Sequence, residues 1–146
     1  MISVSDFMTK DLVTVRESDD LALAESLLKL GGIRHLPVVR EKKLVGILTH
    51  RDVLRSGQWG RPAARELPVS DVMTRTPTSV GPATGLAQAA RLMLERKYGC
   101  LPVCDDDGTL VGIVTEADFV RFAADVVRDL DLVADAVRAQ SGANSA

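Results

Sequence analysis

A threonine and an aspartate recur three residues apart at two places in this chain, each time after a short apolar run that contains a glycine. The first pair is Thr49 and Asp52, and the second is Thr115 and Asp118. An apolar run followed by Thr-x-x-Asp is typical of a strand that leads into a helix. The free N–H groups of a helix start can bind an anion, and a threonine hydroxyl can add a phosphate contact. A carboxylate one turn on suits a ribose diol.

The same residues also have a purely structural interpretation. A threonine at the N-cap with an acid three residues later forms a capping box, which accounts for both residues without any ligand. Glutamate or glutamine is the usual acid in that motif, and aspartate is shorter. One copy is therefore a weak indication of a binding site, whereas two copies in a duplicated unit are a much stronger one.

The two copies belong to a repeat that runs through most of the chain. Val-Ser-Asp-x-Met-Thr starts at Val4 and again at Val69, while Leu-Pro-Val starts at Leu36 and again at Leu101. Self-similarity at a fixed spacing indicates one structural unit used twice. Because units of about 60 residues bury little surface alone, we expect the two repeats to share one core.

These motifs resemble those of the cystathionine-β-synthase (CBS) domain family, arranged as a tandem pair or Bateman module. The resemblance covers roughly residues 3–122 and rests on Val-Ser-Asp-x-Met-Thr, Leu-Pro-Val and Leu-Val-Gly-Ile-x-Thr-x-x-Asp, each present twice. It implies an α/β (α+β) fold of two β-α-β-β-α repeats, each with a small three-stranded sheet, packed about a pseudo-twofold axis. It also implies two clefts that bind adenosine nucleotides or related adenosyl ligands, and dimerisation.

Local signals predict the elements that position the Thr-x-x-Asp motif. In the first repeat, Asp20 starts a helix that ends at Gly31. A hairpin of His35–Arg40 and Leu44–Leu48 follows, and a second helix starts at Thr49. The second repeat follows the same plan.

The predicted organisation is one module with a linker and a helical extension. Its boundaries are repeat 1 at 1–56, linker at 57–68, repeat 2 at 69–122, helix extension at 123–140 and disordered tail at 141–146. The linker contains the only tryptophan, Trp59. It either covers the edge of the module or contacts a partner. Met8 and Met73 are expected to be packing residues rather than ligand contacts.

The last predicted helix continues well past the repeat and carries one apolar stripe. Its members are Phe119, Phe122, Val126, Leu130, Val133 and Val137. Steps of three and four residues place them on one helix face. We expect this face to pack against a second subunit, and folding back over its own module is the alternative.

The resemblance assigns the candidate ligand contacts to two clefts, each of which combines the threonine and aspartate of one repeat with strand residues of the other. The first cleft comprises Thr9, Leu12, Val13, Thr14, Arg34, His35, Arg51, Thr115 and Asp118. The second comprises Thr49, Asp52, Thr74, Pro77, Thr78, Gly99, Cys100 and Ala117.

The two clefts differ in charge. The guanidinium groups of Arg34 and Arg51 can bind a phosphate in a bidentate way. His35 would make phosphate binding depend on pH near neutrality. At the matching positions the second cleft has Gly99, Cys100 and Ala117. These offer a polyphosphate no counter-charge unless Arg75, Arg96 or Lys97 reaches in. The hypothesis is one competent nucleotide site and one that is weak, empty or limited to nucleosides.

Cys100 and Cys104 are the only cysteines, and both lie in a predicted strand. Four residues along a strand span about 13 Å, whereas bridged α-carbons lie within about 7 Å. We therefore expect buried structural thiols and no disulfide. The chain shows no catalytic triad, no phosphate-binding glycine loop and no set of metal ligands, so we expect neither an enzyme nor a metal site.

Composition places the chain among ordinary globular proteins, with 46% apolar and 26% charged residues. A net charge of −2 argues against nucleic acid as the main partner. No apolar run approaches the roughly 18 residues needed to span a bilayer, and no secretion signal is present. We expect a cytoplasmic protein that does not bind membranes.

The expected function is a sensor that binds an adenine nucleotide (AMP, ADP or ATP) without a further cofactor. With no attached domain to regulate, it would signal to an unidentified protein partner or across a homodimer. The alternatives are a ligand-independent interaction or dimerisation protein, and a sensor of S-adenosylmethionine or of a dinucleotide such as NAD. The basic residues favour phosphate over the cationic sulfonium of S-adenosylmethionine.

Overall fold

The computed structural model describes residues 1–144 of the chain, which divide into one compact unit of Met1–Val114 and a second that begins at Thr115. The helices are α1 (Leu21–Gly31), α2 (His50–Arg55), α3 (Leu86–Arg96) and α4 (Glu116–Ala143). The strands are β1 (His35–Arg40), β2 (Lys43–Thr49), β3 (Thr74–Arg75), β4 (Cys100–Cys104) and β5 (Leu110–Thr115). Short 3₁₀ helices occupy Val4–Asp6, Pro62–Arg65 and Val69–Asp71.

Helix α1 begins and ends where the sequence predicts. The Asp20 carboxylate accepts a hydrogen bond from the Leu23 backbone N–H at 2.7 Å and so caps the first turn. Gly32 closes the helix in the left-handed conformation, with φ of 58°. Between these ends, Leu21 and Leu28 face the core and are fully or almost fully buried.

The β1–β2 hairpin is antiparallel and pairs His35 with Thr49 at its open end. Its turn places Glu41 and Lys42 at positive φ. Leu36, Val38 and Leu48 of the two strands belong to one buried cluster with the apolar face of α1. This hairpin therefore carries the start of β1 and the start of α2 to the same edge of the first unit.

The two repeats exchange short segments, and Val69 and Met73 of the second repeat belong to the core cluster of the first. Thr74 in β3 pairs with Ile47 in β2, so that β3 of the second repeat completes the sheet of the first. Thr9 pairs in the same way with Ile113 in β5, with hydrogen bonds of 2.9 and 3.0 Å. The predicted fold class, two α/β repeats related by approximate symmetry, is confirmed.

One detail of the resemblance needs correction, because the first strand of each repeat is reduced to a single residue. Val15 pairs in parallel with Val38, and Val80 pairs with Val103. The sheets therefore have the orders β1-β2-β3 and β4-β5, so only one of them has three strands. The Val15 N–H donates to Pro37. Since proline has no N–H to return a bond to residue 13, the ladder stops there.

The two sheets contact the exchanged segments through glycines that face methionines. A Cβ added at Gly46 would lie 2.5 Å from Met73 Sδ, and one added at Gly112 would lie 2.8 Å from Met8 Cγ. Met73 is buried and Met8 half-buried. The prediction that both methionines pack in the interior rather than contact a ligand agrees with these positions.

The linker is held against α1 by a buried carboxylate. Glu25 is 7% exposed, and its two oxygens each accept a hydrogen bond from the Gly60 N–H at 2.9 Å. Lys29 Nζ donates to the same carboxylate at 2.9 Å and lies 5.0 Å from the centre of the Trp59 ring. The indole packs against the core and edge-on to His50. Trp59 thus covers the edge of the first unit. This position agrees with the interpretation that the linker covers the module rather than contacts a partner.

Replacing Glu25 by glutamine is expected to lower the free energy of unfolding by about 1–3 kcal/mol at pH 7. Burial acts to raise the pKa of Glu25, but hydrogen bonds from Gly60 and Lys29, with the charge of Lys29, outweigh burial and hold the pKa below its usual value. The stabilisation that the ionised Glu25 carboxylate gives to the fold is therefore complete above its unfolded-state pKa. It is lost as the pH falls through its folded-state pKa.

Urea unfolding of Glu25→Gln between pH 7 and pH 3 measures this effect, and the difference from the wild type should shrink below about pH 4. Glu95→Gln is a matched control, because Glu95 is exposed near the end of α3. A Glu25→Gln deficit that stays constant over this range would contradict a charge-dependent role.

The second unit consists mainly of α4, in which no side chain is buried. The helix runs without a break through both predicted boundaries, at 122/123 and at 140. The predicted disordered tail of 141–146 thus begins inside a helix, and residues 145 and 146 lie outside the described part of the chain. Among residues 1–144, no helix is both long and apolar enough to cross a membrane.

Candidate functional site

Both Thr-x-x-Asp motifs form capping boxes. At α2 the Asp52 N–H donates to Thr49 Oγ1 and the Thr49 N–H donates to Asp52 Oδ2, each at 3.0 Å. At α4 the Asp118 N–H donates to Thr115 Oγ1 at 3.3 Å and the Thr115 N–H donates to Asp118 Oδ2 at 2.9 Å. Aspartate therefore does reach back to the N-cap. Because each threonine hydroxyl accepts one bond, its proton remains available for donation to an anion.

The two aspartates differ in their second oxygen. Asp118 Oδ1 accepts a hydrogen bond from Arg121 Nη2 at 2.9 Å, which also forms an ion pair on the surface of α4. Within residues 1–144 no arginine or lysine is paired with Asp52. A ribose at Asp118 would thus compete with Arg121, a residue that the sequence reasoning missed. Its i, i+3 spacing alone would not have identified it, because Arg55 has the same spacing to Asp52.

Basic residues of the first repeat are brought together at the open end of the β1–β2 hairpin. The His50 N–H donates to the Arg34 carbonyl at 2.9 Å, and His35 is the register partner of Thr49. Arg34 and Arg51 are exposed, and neither forms an ion pair in the part of the chain that the structure describes. Their guanidinium groups are therefore not neutralised by a carboxylate of the fold.

His35 links the two predicted sets of contacts. A Cβ at Gly99 would lie 2.8 Å from His35 Nε2, so the ring occupies the space of a side chain at position 99. Sequence reasoning places these residues in different clefts, whereas the structure places them against each other. A side chain at position 99 would therefore require the His35 ring to shift. The two repeats are unequal in charge here, with Arg34 and His35 in one and Gly99 and Cys100 in the other.

Two threonines of the second predicted set of ligand contacts have defined neighbours in the structure. Thr74 pairs with Ile47, two residues before Thr49 in β2. Thr78 Oγ1 lies 3.0 Å from the hydroxyl of Tyr98, a partner that nothing in the sequence indicates. The capped Asp52 lies three residues beyond Thr49, at the start of α2. This set presents hydroxyls and one carboxylate but no cation.

The first predicted set of ligand contacts includes a stretch of backbone near Val13 that the sheet does not pair. Thr9 is exposed and pairs with β5, while Leu12 is half-buried and Val13 and Thr14 are exposed. Because the ladder stops at Pro37, that residue cannot donate a hydrogen bond to the Val13 carbonyl. A ligand with an N–H donor could occupy that edge.

The cysteines lie at the two ends of β4, and neither forms a disulfide. The expectation that they are buried is wrong, because Cys100 and Cys104 are both half-exposed at the strand ends. Burial raises the pKa of the Cys104 thiol, partly offset by a hydrogen bond with Ser79 and reinforced by the charge of Asp105. Within residues 1–144 no three His, Cys, Asp or Glu side chains are grouped so that they could hold a metal ion.

Two repeats that exchange strand segments and start a helix with the same capped motif define a tandem module. A model of the CBS domain family matches residues 4–58 and 69–125. The chain therefore belongs to the CBS domain family and is a tandem CBS pair.

Two named relatives differ in how much of their own length matches this chain. The CBS domain-containing protein YhcV of Bacillus subtilis is 38% identical over 119 residues, which cover 81% of this chain and 83% of YhcV. The inosine-5′-monophosphate dehydrogenase of Korarchaeum cryptofilum is 38% identical over 112 residues, 77% of this chain. That match spans only 22% of the dehydrogenase.

Three solved structures share the fold over nearly their whole length. AcuB of Vibrio cholerae has a TM-score of 0.80 and 39% identity, covering 90% of this chain and 96% of AcuB. CBSX2 of Arabidopsis thaliana in complex with AMP has a TM-score of 0.75 and 36% identity, covering 86% and 98%. The CBS domain pair of MJ0100, in complex with 5′-methylthioadenosine and S-adenosyl-L-methionine, has a TM-score of 0.75 and 29% identity, covering 85% and 97%.

Proposed function

We propose that this chain is a regulatory module that senses an adenine nucleotide (AMP, ADP or ATP) and is not an enzyme. The observation that carries the proposal is the pair of exposed arginines, Arg34 and Arg51, which have no carboxylate partner within residues 1–144. A phosphate offers the bidentate acceptor geometry that such guanidinium groups require. The AMP complex of the similar CBSX2 supports a nucleotide as the ligand.

In this proposal each part of the nucleotide has its own contacts. Arg34, His35 and Arg51 bind the phosphate, and the open Val13 carbonyl accepts a hydrogen bond from the adenine amino group. The family resemblance, rather than any distance, assigns Thr115 and Asp118 to the ribose of the same ligand. The remaining contacts of the first set, Thr9, Leu12 and Thr14, line the edge of the ligand.

The second set is proposed as a weaker site. Thr49, Asp52, Thr74 and Thr78 supply hydroxyls and a carboxylate that suit a nucleoside. Gly99 and Cys100 provide no charge for a phosphate, and a side chain at position 99 would require the His35 ring to shift. One strong nucleotide site for each chain is therefore the expected stoichiometry.

S-adenosylmethionine is the second candidate ligand, because the similar MJ0100 pair holds it together with 5′-methylthioadenosine. Its sulfonium is cationic and would be placed among the arginines of the first set. The second set, which has Asp52 and no cation, would suit such a ligand better. A ligand-independent interaction protein is the third candidate.

Signalling is proposed to run through a protein partner or a homodimer in the cytoplasm. A ligand shifts a conformational equilibrium only by its differential affinity for the two states. His35 and Gly99 lie in contact between the repeats, so a phosphate bound at His35 would favour one arrangement of the two sheets. No nucleic acid and no membrane take part in this proposal.

Thermal unfolding of the purified protein against AMP, ADP, ATP, NAD, S-adenosylmethionine and a cyclic dinucleotide tests the ligand class. A ligand that binds only the folded state adds roughly 2.7 kcal/mol when it is present at about 100-fold its Kd. We expect an adenine mononucleotide to give the largest rise in Tm. A rise with S-adenosylmethionine alone would support the second candidate, and no shift with any compound would reject a sensor of these ligands.

A further inference from the structure

The first unit holds a cavity of about 220 Å³ between the end of α1, the start of α2 and the linker. Its apolar lining residues are Leu28, Ile33 and Trp59, and its basic ones are Lys29, Arg34 and His50. Gly32 also lines the cavity, and a Cβ added there would have no atom within 4 Å, so this side is open. An apolar cavity of about 150 Å³ can hold benzene, so this cavity has room for one ring with a small substituent.

The apolar part of the lining suits a flat ring. Leu28 is buried, and Ile33 and Trp59 are packed against the core cluster of the first unit. The rings of His50 and Trp59 meet edge-on, with their centres 4.7 Å apart and their planes at 75°. Aromatic rings attract further rings in offset or edge-on contacts. A ring placed here would also bury apolar surface, which a small inorganic anion cannot do.

The polar part of the lining carries an excess of positive charge. Lys29 Nζ lies 5.0 Å from the centre of the Trp59 ring and donates to the Glu25 carboxylate, which offsets its charge. Arg34 has no such carboxylate partner within residues 1–144. Among the described residues that line the cavity, none is acidic. One uncompensated guanidinium group is balanced by a singly charged carboxylate better than by a doubly charged phosphate.

We infer that this cavity binds a small aromatic carboxylate. The ring lies against Trp59 and Ile33, and the carboxylate accepts hydrogen bonds from Arg34 in the bidentate geometry that a guanidinium group favours. The cavity shares only Arg34 with the proposed nucleotide site, and the inference does not depend on nucleotide binding. Its experiments use protein without nucleotide, so their failure would leave the proposed function untouched.

Titration with benzoate, followed by tryptophan fluorescence, tests the ligand class. Trp59 is the only tryptophan of the chain and lines the cavity, so its fluorescence reports on this site. We expect benzoate to change the fluorescence in a saturable way. Benzamide, which has the same shape without the charge, should bind about 10- to 150-fold more weakly, the range for losing a hydrogen bond to a charged group. No saturable change with benzoate, or equal affinity for benzamide, would overturn the inference.

An arginine pair tests the contact with the carboxylate. Arg34→Gln should weaken benzoate binding at least tenfold, and because Arg34 is exposed the protein should remain folded. Arg91→Gln is the matched control, since Arg91 is an exposed arginine of α3 that does not line the cavity. It should bind benzoate as the wild type does. An equal weakening in both variants would mean that net charge alone attracts benzoate, which would overturn the inference.

Nuclear magnetic resonance of isotope-labelled protein locates the bound benzoate. The largest chemical-shift changes should fall on the indole N–H of Trp59 and on the backbone N–H groups of Gly32 and Ile33. Changes confined to Thr9–Thr14 and Arg51 would place benzoate among the predicted nucleotide contacts instead. That result would overturn the assignment of the cavity as a separate site.

Discussion

An Arg34→Ala protein is expected to bind AMP about 10- to 150-fold more weakly than the wild type. Hydrogen bonds to charged groups contribute about 1.5–3 kcal/mol, and each 1.4 kcal/mol changes an affinity tenfold. Arg34 is exposed and has no carboxylate partner within the described chain, so its removal costs the fold little. Isothermal titration calorimetry at fixed ionic strength measures the loss.

Arg91→Ala is the matched control, because Arg91 is an exposed arginine on α3 outside both sets of contacts. It should leave the affinity for AMP unchanged. The same weakening in both variants would show that the effect comes from net charge rather than from a contact at Arg34.

A Gly112→Ala substitution is expected to lower the free energy of unfolding by about 1–3 kcal/mol, the usual range for overpacking. The new methyl would lie 2.8 Å from Met8 Cγ and 3.2 Å from Met8 Cβ, and it would also overlap the sulfur. Gly112 lies in β5 of the second repeat and Met8 precedes the exchanged Thr9 of the first. The clash would therefore disrupt the packing that joins the repeats.

Two further variants separate this clash from a general effect of replacing glycine. Gly81→Ala is the control, since its nearest neighbour, Thr84 Oγ1, lies 3.9 Å away, and its stability should be unchanged or slightly raised. In urea unfolding, Gly112→Ala with Met8→Ala should be less destabilised than the sum of the single changes. Strict additivity would mean that Met8 does not cause the loss.

Repeats and local signals were sufficient to predict much of this fold. The paired Val-Ser-Asp-x-Met-Thr and Leu-Pro-Val motifs imply one unit used twice, and Asp20 and Gly32 act on the helix next to them in sequence. The capping function of Thr49 and Asp52 is also local. Such features depend on residues within one turn, so a single sequence carries the information.

Other parts of the site depend on contacts between distant residues. The position of His35 against Gly99, and of the Thr78 hydroxyl beside Tyr98, requires the packed arrangement of both repeats. Pro37 indicates in the sequence that the first strand is short, because a proline cannot continue a parallel ladder. The resemblance to three-stranded sheets outweighed that signal.

The ligand contacts could be assigned from sequence only by resemblance. Asp52 and Asp118 occupy equivalent places in the repeats, but only Asp118 is paired with an arginine, Arg121. An arginine follows each aspartate at the same spacing, Arg55 after Asp52 and Arg121 after Asp118, so the difference lies in side-chain placement and not in the sequence pattern. Equivalent sequence positions therefore do not imply equivalent sites.

Calorimetric titration of AMP into the wild type, Asp118→Ala and Asp52→Ala tests the proposed site most directly. Both substitutions remove the same half of a capping box, at a cost of roughly 1 kcal/mol each in stability, so they are matched in structural effect. We expect one strong site for each wild-type chain, lost in Asp118→Ala and retained in Asp52→Ala. Two identical sites, weakened equally by the two substitutions, would contradict a single competent nucleotide site.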